Sequence, residues 1–462
     1  MMSLHETARL LGADMPAIDV RFSGVSTDSR SIRRGDLFVA LRGERFDGHA
    51  FLDAARAAGA AGALVDRAYA VGASAPLPAI AVADTRTALG EFARQWRDRF
   101  ALPLIAVTGS NGKTTTKEML AAILRTHVGA DAVLATEGNL NNDIGVPLTL
   151  LRLSKRHRYA AIELGMNHKG EIAALARIAR PGIALVNNAQ REHLEFLGSV
   201  EEVAAENASV YAALATEGIA IVNADDANAP LFRRTAQGRR VLEFGLARGT
   251  AVTCRYALKA LSSDLELQLP SGSARASLAI PGLHNVCNAL AAAACASAAG
   301  VPSAAIGAGL SGFRPYAGRL QVKHAAAGAV IIDDSYNANP DSVRAAIDVL
   351  AGSAGQTLLV LGDMGEVGEQ GPDFHAEIGR YARERGIGTL YAVGELTAHA
   401  TAGFGSGARH FASHEELLRA AQAHSGSGTT VLVKGSRFMR MERVVAGLTG
   451  AVKPAPAAPG AH

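Results

Sequence analysis

The segment Thr108-Gly109-Ser110-Asn111-Gly112-Lys113-Thr114-Thr115 constrains this chain more than any other. It follows an apolar run at residues 104–107 and opens a helical pattern that puts Met119, Leu120, Ile123 and Leu124 on one face. A strand that turns through glycines into a helix leaves the first amides of that helix without partners, aimed at whatever occupies the turn. Gly109 and Gly112 let the backbone close on an anion around Ser110 and Asn111, and Lys113 supplies positive charge for outer phosphates. Thr114, with Thr115 behind it, offers a hydroxyl to Mg²⁺. The string is shorter than the full phosphate-loop pattern, whose first glycine would fall at Val107. Its place between a strand and a helix makes a nucleotide site the expectation.

A carboxylate at a strand end is the usual companion of such a loop. Ala161-Ile162-Glu163-Leu164 sets Glu163 among apolar residues, where Mg²⁺ shared with phosphate oxygens would account for it. Without the upstream loop, an ion-paired glutamate would be the ordinary reading. His193, just past Asn187-Asn188-Ala189, is a second candidate, although a lone histidine is more often a packed or surface side chain.

The chain has 462 residues, enough for about three domains. Residues 1–85 read as short strands and helices broken by glycine turns. Residues 86–314 start with an amphipathic stretch and carry apolar runs at 104–107, 160–164, 183–186 and 219–222 separated by helical patterns, which predicts a largely parallel sheet. Residues 315–462 repeat that rhythm, with strands expected at 329–332, 358–361, 390–393 and 431–433 and helices at 342–350, 375–384 and 415–423, a doubly wound sheet in outline. Lys453 to Pro459 reads as a disordered tail.

Forty-six basic residues against 43 acidic ones, with no block of one sign, argue against nucleic acid as a partner. No stretch is apolar for long enough to insert in a membrane, and the start lacks a secretory pattern. Three cysteines (Cys254, Cys287, Cys295) without a Cys-x-x-Cys pair fit a reducing compartment, so a cytoplasmic location is expected.

The loop, Gly138-Asn139-Leu140-Asn141-Asn142-Asp143, Glu163, His193-Leu194-Glu195, Gly282-Leu283-His284-Asn285 and Gly318-Arg319 occur in an order that resembles the Mur ligases of peptidoglycan synthesis. The resemblance covers nearly the whole chain. It implies an α/β protein of three domains: a UDP-substrate-binding domain, a central P-loop ATPase sheet with helices, and a C-terminal Rossmann-like doubly wound sheet. Asp333-Asp334-Ser335-Tyr336-Asn337-Ala338-Asn339-Pro340, Gly362-Asp363-Met364-Gly365-Glu366 and Lys434-Gly435-Ser436-Arg437 are similar to the branch that joins D-alanyl-D-alanine to UDP-N-acetylmuramoyl-tripeptide. The implied cofactors are ATP and Mg²⁺, and the expected state is a monomer. Whether the tripeptide ends in meso-diaminopimelate or L-lysine is not legible.

By the same resemblance, Lys113, Glu163 and His193 carry the catalysis, with Thr114, Glu163 and His193 on metal. Asn285 is implied as an adenine contact, and Arg319 and Asp334 face ATP. Tyr336, Asn337, Lys434 and Ser436 are implied on the substrate side. Thr27, Ser29, Arg45 and His49, within Ser26-Thr27-Asp28-Ser29-Arg30 and Arg45-Phe46-Asp47-Gly48-His49, resemble the uridine-diphosphate site of this branch, although from composition alone Thr27-Asp28-Ser29 is a turn. The loop and Arg319 lie in different expected domains, so the site needs domain closure. The family's carbamylated lysine would fall near Asn207, yet no lysine stands between Lys169 and Lys259. Asn207 or Glu206, acting through water, is the expected replacement, and a merely solvated Glu206 is the alternative. Two other functions share these residues: a related amide ligase with a different amine, and a nucleotide-binding regulatory module without turnover.

Overall fold

A computed structural model of the chain describes residues 1–44, 46–72, 75–247 and 249–450. Arg45 and the Pro-rich tail lie outside them. The described chain forms three α/β domains, each around a parallel or nearly parallel sheet.

The first sheet runs Gly24–Ser26, Asp36–Val39, Gly62–Asp66, Ala79–Val82, all parallel. The amphipathic helix Thr85–Arg97 follows, capped by Asp84, whose carboxylate accepts from the Thr87 amide. It packs on both Leu4–Leu11 and the middle-domain helices Gly145–Leu150 and Glu171–Ala179. One hydrophobic cluster therefore runs from the first domain into the second, through Leu89, Phe92 and Trp96.

The middle sheet has six parallel strands in the order Arg240–Phe244, Ile219–Asn223, Ile183–Val186, Leu104–Thr108, Tyr159–Glu163, Val133–Ala135. Its three central strands are buried along their whole length, which is why their sequences read as apolar runs up to the polar strand ends Thr108 and Glu163. From Leu104–Thr108 the chain builds first to one side and then to the other. The crevice at the C-terminal end of that strand is a topological switch point, where open α/β sheets bind ligands.

Beside it stands an antiparallel meander, Thr253–Leu258, Ser263–Leu269 and Gly272–Leu278, that the sequence reading did not separate from the parallel sheet. It packs under the helices Leu283–Ala298 and Ser303–Gly312. Only alternate residues face the core, with Leu265, Leu267 and Leu269 buried and Glu266 and Gln268 exposed, so its apolar signal is half as dense.

The last sheet runs Gln321–His324, Val330–Asp334, Thr429–Lys434, Gln356–Gly362, Thr389–Val393, Ala408–Phe411, parallel except at its first strand. All four expected strands are present, as are the three expected helices, seen as Pro340–Ala351, Gly371–Glu384 and His414–His424.

Candidate functional site

Two glycines shape the loop. Gly109 has φ 129°, and a Cβ there would stand 3.0 Å from the amides of Asn187 and Asn188. Gly112, at φ 79°, would bring one into Asn288 Oδ1 and 2.8 Å from the side-chain Nδ2 of Asn187. Larger residues would push this loop off the strand-end segment Asn187-Asn188, which clamps it. The Asn111 amide donates to the Asn188 side chain at 2.8 Å, the Ser110 amide to the Asn188 carbonyl at 3.0 Å, and the Asn187 side chain to the Asn111 carbonyl at 2.7 Å. The helix Lys113–Val128 begins at Gly112 with no side-chain cap. Its first amides therefore stay available to an anion.

At the base of the loop the Thr114 hydroxyl donates to Glu163 Oε1 at 3.2 Å, and Asn141 donates to the same oxygen at 2.8 Å. Glu163 is 2 % exposed, and its Oε2 is buried with no partner. A buried carboxylate oxygen without a donor calls for a cation. An oxygen-seeking ion such as Mg²⁺ fits that position, beside a hydroxyl and next to the phosphate loop. Among the described residues no group of three or more His, Cys, Asp or Glu is arranged to hold a metal alone. Phosphate oxygens and water would complete the shell.

Arg319 reaches the same point from the C-terminal domain, with Nη2 3.4 Å from the Thr114 hydroxyl. Its guanidinium lies 4.1 Å over the Tyr336 ring, and its Nε is buried without an acceptor. The loop and Arg319, expected in separate domains, are thus together. Asp334 braces the turn that carries Arg319, accepting from the Leu320 amide at 3.2 Å, while its other oxygen lies 2.5 Å from Lys434 Nζ. Lys434 also donates to the Asn337 carbonyl at 2.9 Å. Ser436 donates to the Ala338 carbonyl and accepts from the Gly365 amide. Lys434 and Ser436, expected toward substrate, are both buried and tie strand ends to each other.

His193 does not join Thr114 and Glu163 through any hydrogen bond or ion pair among the described residues. Its Nε2 is 3.6 Å from Glu192, and its Nδ1 lies 2.5 Å from Glu366 across the domain boundary without the alignment of a hydrogen bond. The nearby imidazole holds the Glu366 carboxyl below its ordinary range, against the opposing effect of burial. His193, Leu320 and Glu366 all have positive φ, at 53°, 51° and 59°. Such backbone costs about 1–3 kcal/mol per residue and gathers at functional sites.

Asn285 is buried, donating to the Pro281 carbonyl and accepting from Asn288. Asn288 in turn accepts from Asn187 at 2.9 Å, so Asn285 is wired to the loop. In the first domain, Thr27 and Ser29 are half-buried on the turn after the first strand. His49 has both ring nitrogens engaged, one with Asp47 and the other accepting from the Asp66 amide, and it stacks on Tyr69. The His49 ring therefore holds this region together and presents no free polar edge.

The expected replacement for the missing lysine is corrected by the packing. Glu206 is neither solvated nor aimed at the loop. Its carboxylate accepts from the Gly170 and Ile172 amides, both at 2.8 Å, at the start of the helix Glu171–Ala179. Asn207 is fully buried, accepting from the Thr108 hydroxyl at 2.8 Å and donating to the Val203 carbonyl. Glu206→Ala should lower stability by about 1–3 kcal/mol, because two amides, that of Ile172 buried, lose their acceptor. The Mg²⁺ dependence of turnover should stay unchanged. A raised Mg²⁺ requirement at unaltered stability would return the residue to the metal site.

Asn187, Asn188, Asn288, Arg191 and Glu192 went unrecognised as site residues from sequence. Only the proximity of Arg191 and Glu192 to His193 was a usable signal.

Comparison with known proteins places this geometry in a lineage. Residues 107–296 match the Mur ligase middle domain, 318–437 the Mur ligase, glutamate ligase domain, and 21–97 the Mur ligase family, catalytic domain. The chain is 40% identical to UDP-N-acetylmuramoyl-tripeptide–D-alanyl-D-alanine ligase of Escherichia coli, across 97% of this chain and 98% of that one. The crystal structure of MurF from Acinetobacter baumannii superposes with a TM-score of 0.90 at 36% identity, covering 97% of this chain and 99% of that one. MurF ligase from Thermotoga maritima in complex with ADP gives a TM-score of 0.81 at 27% identity, with coverage of 93% and 97%. With three family domains in sequence and near-complete coverage of a curated relative, the chain belongs to the Mur ligase family.

Proposed function

We propose that this chain is an ATP-dependent ligase that adds D-alanyl-D-alanine to UDP-N-acetylmuramoyl-tripeptide in peptidoglycan precursor synthesis. The observation that carries the reading is the end-to-end match to the Escherichia coli ligase of that name. The convergence of Lys113, Thr114, Glu163 and Arg319 at one helix N-terminus supports it chemically.

A carboxylate does not condense with an amine in water until its oxygen becomes a better leaving group. In the proposed reaction the terminal carboxylate oxygen of the tripeptide attacks the γ-phosphorus of ATP, and ADP leaves. The amine of D-alanyl-D-alanine then attacks the acyl-phosphate carbonyl; a C–N bond forms, the C–O bond to phosphate breaks, and the amine gives up its proton. Lys113, the uncapped amides after Gly112 and Arg319 would neutralise phosphoryl charge and align the groups. Thr114 and Glu163 would hold Mg²⁺, which supplies further charge neutralisation on phosphate oxygens. Three free thiols and no disulfide fit a cytoplasmic enzyme. Among the described residues no helix is long and apolar enough to cross a membrane.

Mass spectrometry of reactions containing ATP, Mg²⁺, D-alanyl-D-alanine and either UDP-tripeptide tests this reading. The expected product is one UDP-pentapeptide per ADP and phosphate released. Equal incorporation of single amino acids would point to a different amine, and ADP without a joined product would point to a regulatory module.

A further inference from the structure

Glu192 stands against the lysine of the phosphate loop. Both of its carboxylate oxygens lie 3.2 Å from Lys113 Nζ. The remaining contacts of that ammonium are the Gly109 and Ser110 carbonyls, at 2.6 and 3.0 Å. An ammonium has three donors, so the chain itself engages all of them. The pair is shielded, with side chains 9 % and 14 % exposed, and its attraction is little weakened by water. A polyphosphate seated on this loop needs the same ammonium. It also brings negative charge up to a carboxylate that is already there, so the two anions compete for one cation.

Glu192 is held in place from outside the loop. The preceding residue, Arg191, is gripped by the C-terminal domain: its Nη2 lies 2.6 Å from Asp341 and its Nη1 2.8 Å from Glu377, while its own amide donates to Asp341 at 2.9 Å. The Arg191 guanidinium also lies 5.2 Å over the Phe374 ring. Nearby, Asn111 and Asn339 exchange amide hydrogen bonds at 3.2 and 2.9 Å. The segment that presents Glu192 to Lys113 is thus anchored, through Arg191, on the far side of the domain boundary.

We propose that Glu192 is a positioning residue of the phosphate loop, an internal counter-anion that holds Lys113 and competes with the outer phosphates of the nucleotide for it. The proposal rests on the reading of Lys113 as the nucleotide-binding lysine. Its consequence is selective. Glu192 sets affinity through the polyphosphate and has no bearing on the nucleoside.

The test is calorimetric titration of the full chain with a non-hydrolysable ATP analogue and with AMP. Wild type, Glu192→Gln, Glu192→Ala and Lys113→Ala are compared, each checked for folding by circular dichroism and thermal melting. Glu192→Gln keeps the shape and removes the charge, and it should bind the triphosphate about tenfold tighter with AMP binding unchanged. Glu192→Ala should shift in the same direction, so either folded variant decides the matter. Unchanged or weaker triphosphate binding overturns the proposal, as does an equal gain for AMP, which a general loosening of the loop would produce. Lys113→Ala separates the two layers. If it weakens triphosphate binding while the Glu192 variants do not tighten it, the loop is the nucleotide site and only the counter-anion idea fails. If Lys113→Ala leaves triphosphate binding intact, the reading of Lys113 fails and the proposal goes with it.

Discussion

Lys113→Ala is expected to leave a folded protein whose turnover has fallen on the order of 10³-fold, because a preorganised charge aimed at the transferring phosphoryl group is the largest kind of contribution such a site makes. The structure adds a complication that the sequence does not show. Removing the ammonium strands the Glu192 carboxylate in a shielded position, only 3.6 Å from His193. Some loss of stability should therefore accompany the loss of rate. The double variant Lys113→Ala/Glu192→Gln separates the two, since it has no stranded charge. Its melting temperature should return toward wild type while its turnover stays low. Product formation near the wild-type rate in either variant would show that the loop does not handle phosphate. Recovery of turnover together with stability in the double variant would mean that the single variant had failed by misfolding.

The second large effect lies in the C-terminal sheet. Lys434 and Asp334 face each other across paired strands, with side chains 4 % and 12 % exposed. Replacing Lys434 by methionine keeps much of its volume and leaves Asp334 as a buried charge without its partner. Breaking such a pair from one side costs about 3–5 kcal/mol. The double variant Asp334→Asn/Lys434→Met should recover most of that loss, because the unpaired charge is gone. Urea unfolding followed by fluorescence would measure both. Turnover should fall in the single variant as well, since Asp334 braces the Leu320 amide beside Arg319. An unfolding curve unmoved by Lys434→Met would show that the pair does not hold this sheet, and would reopen the substrate-facing reading of Lys434.

Parts of this protein were legible because their physics is local. The middle of a fully buried parallel strand is apolar on both faces, so residues 104–107, 183–186 and 431–433 stand out as runs. A phosphate loop needs a strand, glycines, a lysine and a helix in contiguous order, and all of these lie within a dozen residues. The antiparallel meander escaped notice because it buries one face only, and its polar positions diluted the signal.

Glu206 shows the other side. A glutamate amid alanines on a helix reads as solvated or as a ligand, and nothing nearby in the chain reveals that the amides of Gly170 and Ile172 lie within its reach. The same holds for Glu192 on Lys113, for Arg191 between Asp341 and Glu377, and for Arg319 over Thr114. Residue type and spacing by themselves determined the fold class, the rhythm of strands and helices, the phosphate loop and the family to which the chain belongs. What each charged side chain does was decided only by tertiary structure, because a carboxylate takes its role from whichever donor or cation folding brings within about 3 Å.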